Sequence, residues 1–154
     1  MNAERGCLAL KTVASIVETV VLLKQKGWEV VLVTSGSVGF GRLALKSAAP
    51  ASATLSERRA LAAIGQAKLM SVYSTMFEGQ GIKCAQMLLT YGNLGIQSQH
   101  DSSRDTFEAL LKMNVVPIVN ENDPVADRYV EIRRRNIFSR DEYRESVGSS
   151  SYID

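Results

Sequence analysis

Three short apolar runs, each broken off by a cluster of polar residues, constrain this chain more than any other feature. They are Trp28-Glu29-Val30-Val31-Leu32-Val33-Thr34, Ile82-Lys83-Cys84-Ala85-Gln86-Met87-Leu88-Leu89-Thr90 and Val115-Val116-Pro117-Ile118-Val119. Runs of this length and composition suit strands covered on both faces, as in a parallel sheet. Between them the apolar period changes to three and four. Leu10, Val13, Ala14, Val17, Val20 and Val21 mark a helix over residues 8–26, with Gly27 as a left-handed terminator. A short helical piece through Leu43 and Leu45 follows the first strand's loop, and residues 47–53 read as a small-residue connector. Thr54 with Glu57 fits a capping box. The helix it opens carries Leu61, Ile64, Leu69, Val72, Met76 and Phe77 and ends near Gly79-Gln80-Gly81. A further helix is expected from about Ser102, bearing Phe107, Leu110 and Leu111. Strands alternating with helices make an α/β domain around a parallel sheet. Pro117 has no N–H to give a ladder, so its strand belongs at an edge or where that amide is not needed.

Composition narrows the class. With 154 residues, 45% of them hydrophobic and 22% charged, the chain holds enough material for a core, which excludes disorder, collagen and a disulfide miniprotein. A formal charge of +2 excludes an electrostatically driven nucleic-acid binder. No apolar run reaches the ~18 residues of a membrane-spanning helix, and the N-terminus has no signal-peptide pattern. A soluble cytoplasmic protein is expected, with no nucleic-acid or membrane partner. Cys7 and Cys84 lie far apart among apolar neighbours, which gives neither a metal spacing nor a disulfide framework. They read as buried small hydrophobes. The single histidine, His100, rules out a His-rich metal site and reads as a surface residue in a polar loop. Residues 127–154 differ in character, with six arginines and six acidic residues, and form a polar tail. Within it Arg133-Arg134-Arg135 reads as a solvated run.

The chemistry gathers where the strands stop. In open α/β sheets ligands bind beyond the carboxyl ends of the strands. Those ends carry Thr34-Ser35-Gly36-Ser37, Thr90-Tyr91-Gly92-Asn93 and Asn120-Glu121-Asn122-Asp123, and in a parallel sheet the three clusters share one edge. The first begins a glycine-bearing loop, residues 35–42, whose free N–H groups and hydroxyls suit carboxylate or phosphate oxygens. An ordinary strand-to-helix turn is the competing reading. Gly36-x-x-Gly39-x-Gly41 is neither a dinucleotide fingerprint nor a P-loop, and Ser37 lacks the preceding glycine of a hydrolase elbow. The third cluster packs two amides and two carboxylates after an apolar strand. Amides there can bind a carboxylate, while an acid can pair with an ammonium or hold a metal. A turn ending in Pro124 is the alternative.

Four segments occur in an order that resembles the glutamate 5-kinase family, the γ-glutamyl kinases of the amino acid kinase fold. They are Val30-Val31-Leu32-Val33-Thr34-Ser35-Gly36-Ser37, Ala62-Ala63-Ile64-Gly65-Gln66-Ala67-Lys68-Leu69-Met70, Ala85-Gln86-Met87-Leu88-Leu89-Thr90 and Val116-Pro117-Ile118-Val119-Asn120-Glu121-Asn122-Asp123. The resemblance covers residues 8–126. It implies a partial three-layer αβα amino acid kinase fold with a mainly parallel sheet over residues 1–126, the glutamate-binding lobe. It also implies ATP-dependent phosphorylation of the L-glutamate γ-carboxylate to γ-glutamyl phosphate, the first step of proline biosynthesis. The resemblance places glutamate binding on Ser35, Gly36, Ser37, Asn120, Asn122 and Asp123. ATP and Mg²⁺, a homo-oligomer when intact, and feedback by proline are implied in the same way.

The pattern departs from the family at defined points. No segment matches the family's Lys-x-Gly-Ser/Thr strand, and Asp127-Arg128-Tyr129-Val130 stand where its Gly-Asp-Asn-Asp segment is expected. The arginine-rich loop before the last predicted helix keeps only Arg104-Asp105-Thr106. The nucleotide-binding half has no counterpart. The expectation is therefore a chain cut at both ends, with no catalytic or metal-binding residue retained and no kinase activity by itself. A non-catalytic oligomerisation or regulatory remnant is the alternative. A relative acting on another acyl or carbamoyl substrate is disfavoured by Gln86-Met87-Leu88-Leu89-Thr90 and Asn120-Glu121-Asn122-Asp123.

Overall fold

The computed structural model describes residues 10–46, 53–90 and 96–125. Helix α1 spans Leu10–Gln25, and Gly27 at φ +82° turns the chain out of it. Strand β1 is Leu32–Val33, α2 is Ser37–Ala44 and α3 is Leu55–Glu78. Strand β2 is Lys83–Leu89, α4 is Gln97–Lys112 and β3 is Val115–Glu121, followed by a 3₁₀ turn over Asp123–Val125. The expected tail and Cys7 lie outside the described residues.

The three strands form an all-parallel sheet in the order β1-β3-β2. Its two faces are covered by different helices. Val116 and Ile118 of β3 point to one side and pack with Val17 and Val20 of α1 and Leu69, Tyr73 and Phe77 of α3. On the other side Val119 meets Leu89 of β2 and Phe107 of α4. Helix, sheet and helix make the three αβα layers expected of a partial amino acid kinase fold. Near-complete burial of residues 115–120 follows, as their continuous apolar run requires.

Pro117 lies in the central strand, so of its two expected placements the edge is the wrong one. Thr34 N–H donates to the Val119 carbonyl at 2.9 Å, so the odd-numbered residues of β3 turn their backbone groups towards β1. Pro117 faces that neighbour without an N–H. The ladder there is confined to Leu32↔Ile118 and Val33↔Val119. This accounts for a two-residue β1 where seven residues of strand were expected. The amide is missing just where pairing stops.

Two helices begin earlier than their apolar pattern suggests. Helix α2 starts at Ser37, inside the expected loop, because Gly36 at φ +116° turns the chain directly into it. Helix α4 starts at Gln97 and not near Ser102, which puts His100 in its first turns instead of a loop. Its opening residues are polar, and the segment carries i,i+4 bonds from Gln97 to Asp101 and from Ser102 to the Ser98 carbonyl. Apolar periodicity cannot report a turn built that way.

Helix α3 holds the domain together. The Thr54 hydroxyl accepts from Glu57 N–H while the Glu57 carboxylate accepts from Thr54 N–H at 2.7 Å, which is the capping box read from sequence. Its buried residues are Leu61, Ala62, Gly65, Gln66, Leu69, Tyr73 and Phe77, whereas Ile64 is exposed. The seam is set by small residues. A Cβ on Gly65 would overlap the Ser37 carbonyl, and one on Gly41 would overlap the Leu61 carbonyl. Bare backbone at both positions lets α2 and α3 touch.

Candidate binding cleft at the carboxyl edge of the sheet

Adjacent parallel strands bring the first and third polar clusters together. After Val33 the chain runs through Thr34, Ser35 and Gly36 into α2. After Val119 it runs through Asn120 and Glu121 to the 3₁₀ turn. The Ser37 hydroxyl donates to Asp123 Oδ2 at 2.5 Å and closes the gap between them. Ser37 is the first residue of α2, so this carboxylate meets the positive end of the helix dipole. Asn122 N–H donates to the Leu89 carbonyl at 2.8 Å, tying the same turn to β2. Tyr73 and Thr34 share a hydroxyl contact of 3.3 Å that fixes the end of β1 to α3.

These elements enclose a cleft of about 260 Å³. Its polar lining is Ser37, Gln66, Gln86, Glu121 and Asp123, and its apolar lining includes Ala62, Ala63, Ala67 and Leu88. Beside it Asn120, itself buried, donates from Nδ2 to Gln66 Oε1 at 2.7 Å and accepts the Glu121 N–H on Oδ1 at 2.9 Å. Two buried polar atoms of lining residues have no partner among the described residues: Gln66 Nε2 and Glu121 Oε1. Burial, reinforced by the Asp123 charge, pushes the Glu121 carboxyl up to about 7. The cleft therefore presents hydrogen-bond donors and acidic acceptors within a small partly apolar space, which suits a compact ligand carrying both charges.

Comparison with known proteins bears on what that ligand is. Residues 2–142 match the amino acid kinase family. This chain belongs to that family. Among curated relatives, it is 45% identical over 127 residues to "Glutamate 5-kinase" of Acaryochloris marina, covering 81% of this chain and 33% of the relative. It is 46% identical over 125 residues to the protein of that name from Rippkaea orientalis, and 44% over 127 residues to that from Synechococcus elongatus. Coverage of this chain is 80% and 81% in the two cases, and of the relatives 33% and 34%. The chain spans about a third of the length of these relatives.

Within this amino acid kinase chain the sequence-derived site residues fall into two groups. Ser37 and Asp123 line the cleft and bond to each other, and Asn120 supports it from below. Ser35 and Gly36 are exposed in the turn before Ser37, and Asn122 holds the sheet ladder; none of the three lines the cleft. The cluster at residues 91–93 lies outside the described residues. Gln66 and Gln86 line the cleft as well and are not among the residues expected to bind the substrate, although each lies in a segment that carries the family resemblance. Their signal was a glutamine in an otherwise apolar or small-residue stretch. Among the described residues no three His, Cys, Asp or Glu side chains gather to hold a metal ion. Among the described residues no lysine or arginine lines the cleft. Cys84 is half-buried rather than buried, and desolvation raises its thiol pKa, offset in part by a bond with Ser74. No described helix is long and apolar enough to cross a membrane.

Proposed function

We propose that this chain provides the glutamate-binding lobe of an ATP-dependent glutamate 5-kinase. The observation that carries the reading is the Ser37–Asp123 bond at the carboxyl edge of the sheet, in a chain about 45% identical to proteins of that name. Asp123 and Glu121 offer acidic oxygens to the substrate ammonium. The 35–37 turn offers backbone N–H groups to a carboxylate, with Ser35 and Gly36 at its exposed lip and Asn120 and Asn122 holding the opposite wall. Phosphoryl transfer depends mainly on positioning and on neutralising the charge of the moving phosphate. The described cleft supplies positioning of the acceptor. ATP and Mg²⁺ belong to the reaction as the family implies it, and no step is assigned to them through these residues. Cytoplasmic location, self-association and feedback by proline are parts of the same reading.

The test is direct binding. The purified chain is titrated with L-glutamate by calorimetry, and with ATP, Mg²⁺ and hydroxylamine in a parallel hydroxamate assay. Saturable L-glutamate binding that is lost in Asp123→Ala, with no hydroxamate formed, is the expected result. Absence of binding, accompanied by concentration-dependent self-association in sedimentation, would favour the non-catalytic interaction module.

A further inference from the structure

A chain of hydrogen bonds fixes which end of Gln66 is left for a ligand. The start of the chain is a backbone group whose identity is unambiguous: Glu121 N–H can only donate. It donates to Asn120 Oδ1 at 2.9 Å, which orients the Asn120 amide and leaves Nδ2 facing Gln66. Nδ2 can only donate as well, so the Gln66 atom meeting it at 2.7 Å must be Oε1. What remains is Nε2, a two-proton donor with no partner among the described residues, on a side chain only 8% exposed that lines the cleft. An unpaired buried donor is costly unless a ligand satisfies it.

The same cleft presents the opposite chemistry. Glu121 Oε1 is also buried without a partner, and Asp123 lies two residues further on. Gln66 lines the same cleft of about 260 Å³ as these acids. In so small a space a ligand whose ammonium meets the acids brings to Gln66 the group attached to the same carbon. In an α-amino acid that group is a carboxylate.

We infer that Gln66 is a specificity-determining residue whose Nε2 reads the α-carboxylate of an amino-acid substrate, with Asn120 as the positioning residue that keeps the donor outward. The inference rests on the glutamate reading above and names the residue that separates an α-amino acid from a simple amine. Ser37 cannot share the task through its own proton, which is engaged with Asp123.

The experiment uses the full chain, isotopically labelled, and two probes: L-glutamate and 4-aminobutyrate, which lacks the α-carboxylate. The Gln66 side-chain NH₂ resonance is assigned in the unaltered chain through its own side-chain carbons, and its disappearance in Gln66→Glu checks the assignment. That variant keeps an oxygen for Asn120 and replaces only the donor. L-Glutamate should shift the resonance, and 4-aminobutyrate should leave it in place. Gln66→Glu should weaken L-glutamate at least tenfold while binding 4-aminobutyrate no more weakly than the unaltered chain. Should the variant fail to fold, the resonance in the unaltered chain decides alone. L-Glutamate binding with an unmoved Gln66 resonance, or with undiminished affinity in a folded Gln66→Glu, would overturn this inference and leave the proposed function standing. No binding of L-glutamate by the unaltered chain would overturn both.

Discussion

The Ser37 hydroxyl and the Asp123 carboxylate, 86 residues apart in sequence, meet at 2.5 Å where α2 begins and β3 has just ended. Ser37 is almost wholly buried, so water cannot readily stand in for its hydroxyl. Ser37→Ala removes one hydrogen bond to a charged acceptor. Such bonds contribute ~1.5–3 kcal/mol, and the partial exposure of Asp123 reduces the expected loss to about 1–2 kcal/mol. Urea unfolding would show it as a lower midpoint with an unchanged slope. L-Glutamate affinity should fall as well, because Asp123 is no longer held. A variant with the stability of the unaltered chain would mean that this bond does not hold the cleft together.

That bond exists only because α2 lies directly on α3. The contact of Gly65 with the Ser37 carbonyl leaves no room for a methyl group, and both sides of the contact are helix backbone that cannot rotate away. Gly65→Ala should therefore destabilise the domain by at least ~3 kcal/mol, the upper range for overpacking. Gly79→Ala is the control. Gly79 has φ −60°, and an added Cβ would meet only ordinary contacts at 3.5 and 3.6 Å. Its stability should change by less than ~1 kcal/mol, with a gain from lost chain entropy. Equal losses in the two variants would refute the close-crossing account.

Much of this was legible in the residues, and the exceptions share a cause. The parallel sheet, the capping box at Thr54 and Glu57, and the terminating Gly27 are written in local chemistry and were readable from it. Ile64 was expected inwards because it is large and apolar, but the seam of α3 with α2 at that level is made by Ala62 and Gly65. A periodicity that counts large apolar groups passes over a surface whose requirement is smallness. The same holds for α4, whose first turns are polar, and for β1, whose length is decided by Pro117 on another strand. In the cleft, Ser37 and Asp123 were legible as strand-end clusters. Gln66 was not, since its importance arises from a partner 54 residues away.

The capping box gives a local test that does not touch the cleft. Thr54 supplies the oxygen that satisfies Glu57 N–H, and its own N–H and hydroxyl hold the Glu57 carboxylate below its usual range. Thr54→Ala should lower stability by about 1 kcal/mol, the usual effect of losing an N-cap. In a thermal melt followed by circular dichroism that is a drop of ~2–4 °C for a chain of this length. L-Glutamate affinity measured below the melt should not change. Loss of binding with intact secondary structure would mean that the start of α3 communicates with Gln66.

Glu121 makes stability depend on pH with a defined sign. Its folded-state carboxyl titrates near 7, raised from 4.5 first by burial and then by the Asp123 charge. Below pH 4.5 the group is protonated in both folded and unfolded chains and sets no difference between them. As pH rises from about 4.5 to about 7 the unfolded chain ionises while the folded one resists, so stability falls across that window and levels off above it. Glu121→Gln keeps the shape and removes the titration. Each pKa unit corresponds to ~1.4 kcal/mol, and water reaching the partly exposed carboxyl trims the expected gain at pH 8 to about 1–2 kcal/mol. Little gain should remain at pH 5. Asp123→Asn should weaken the same pH dependence without abolishing it, because burial is the larger cause. Urea midpoints at pH 5, 6, 7 and 8 for the three proteins decide the matter. A gain in Glu121→Gln that is equal at every pH would show that the carboxyl is not strained by its place in the cleft.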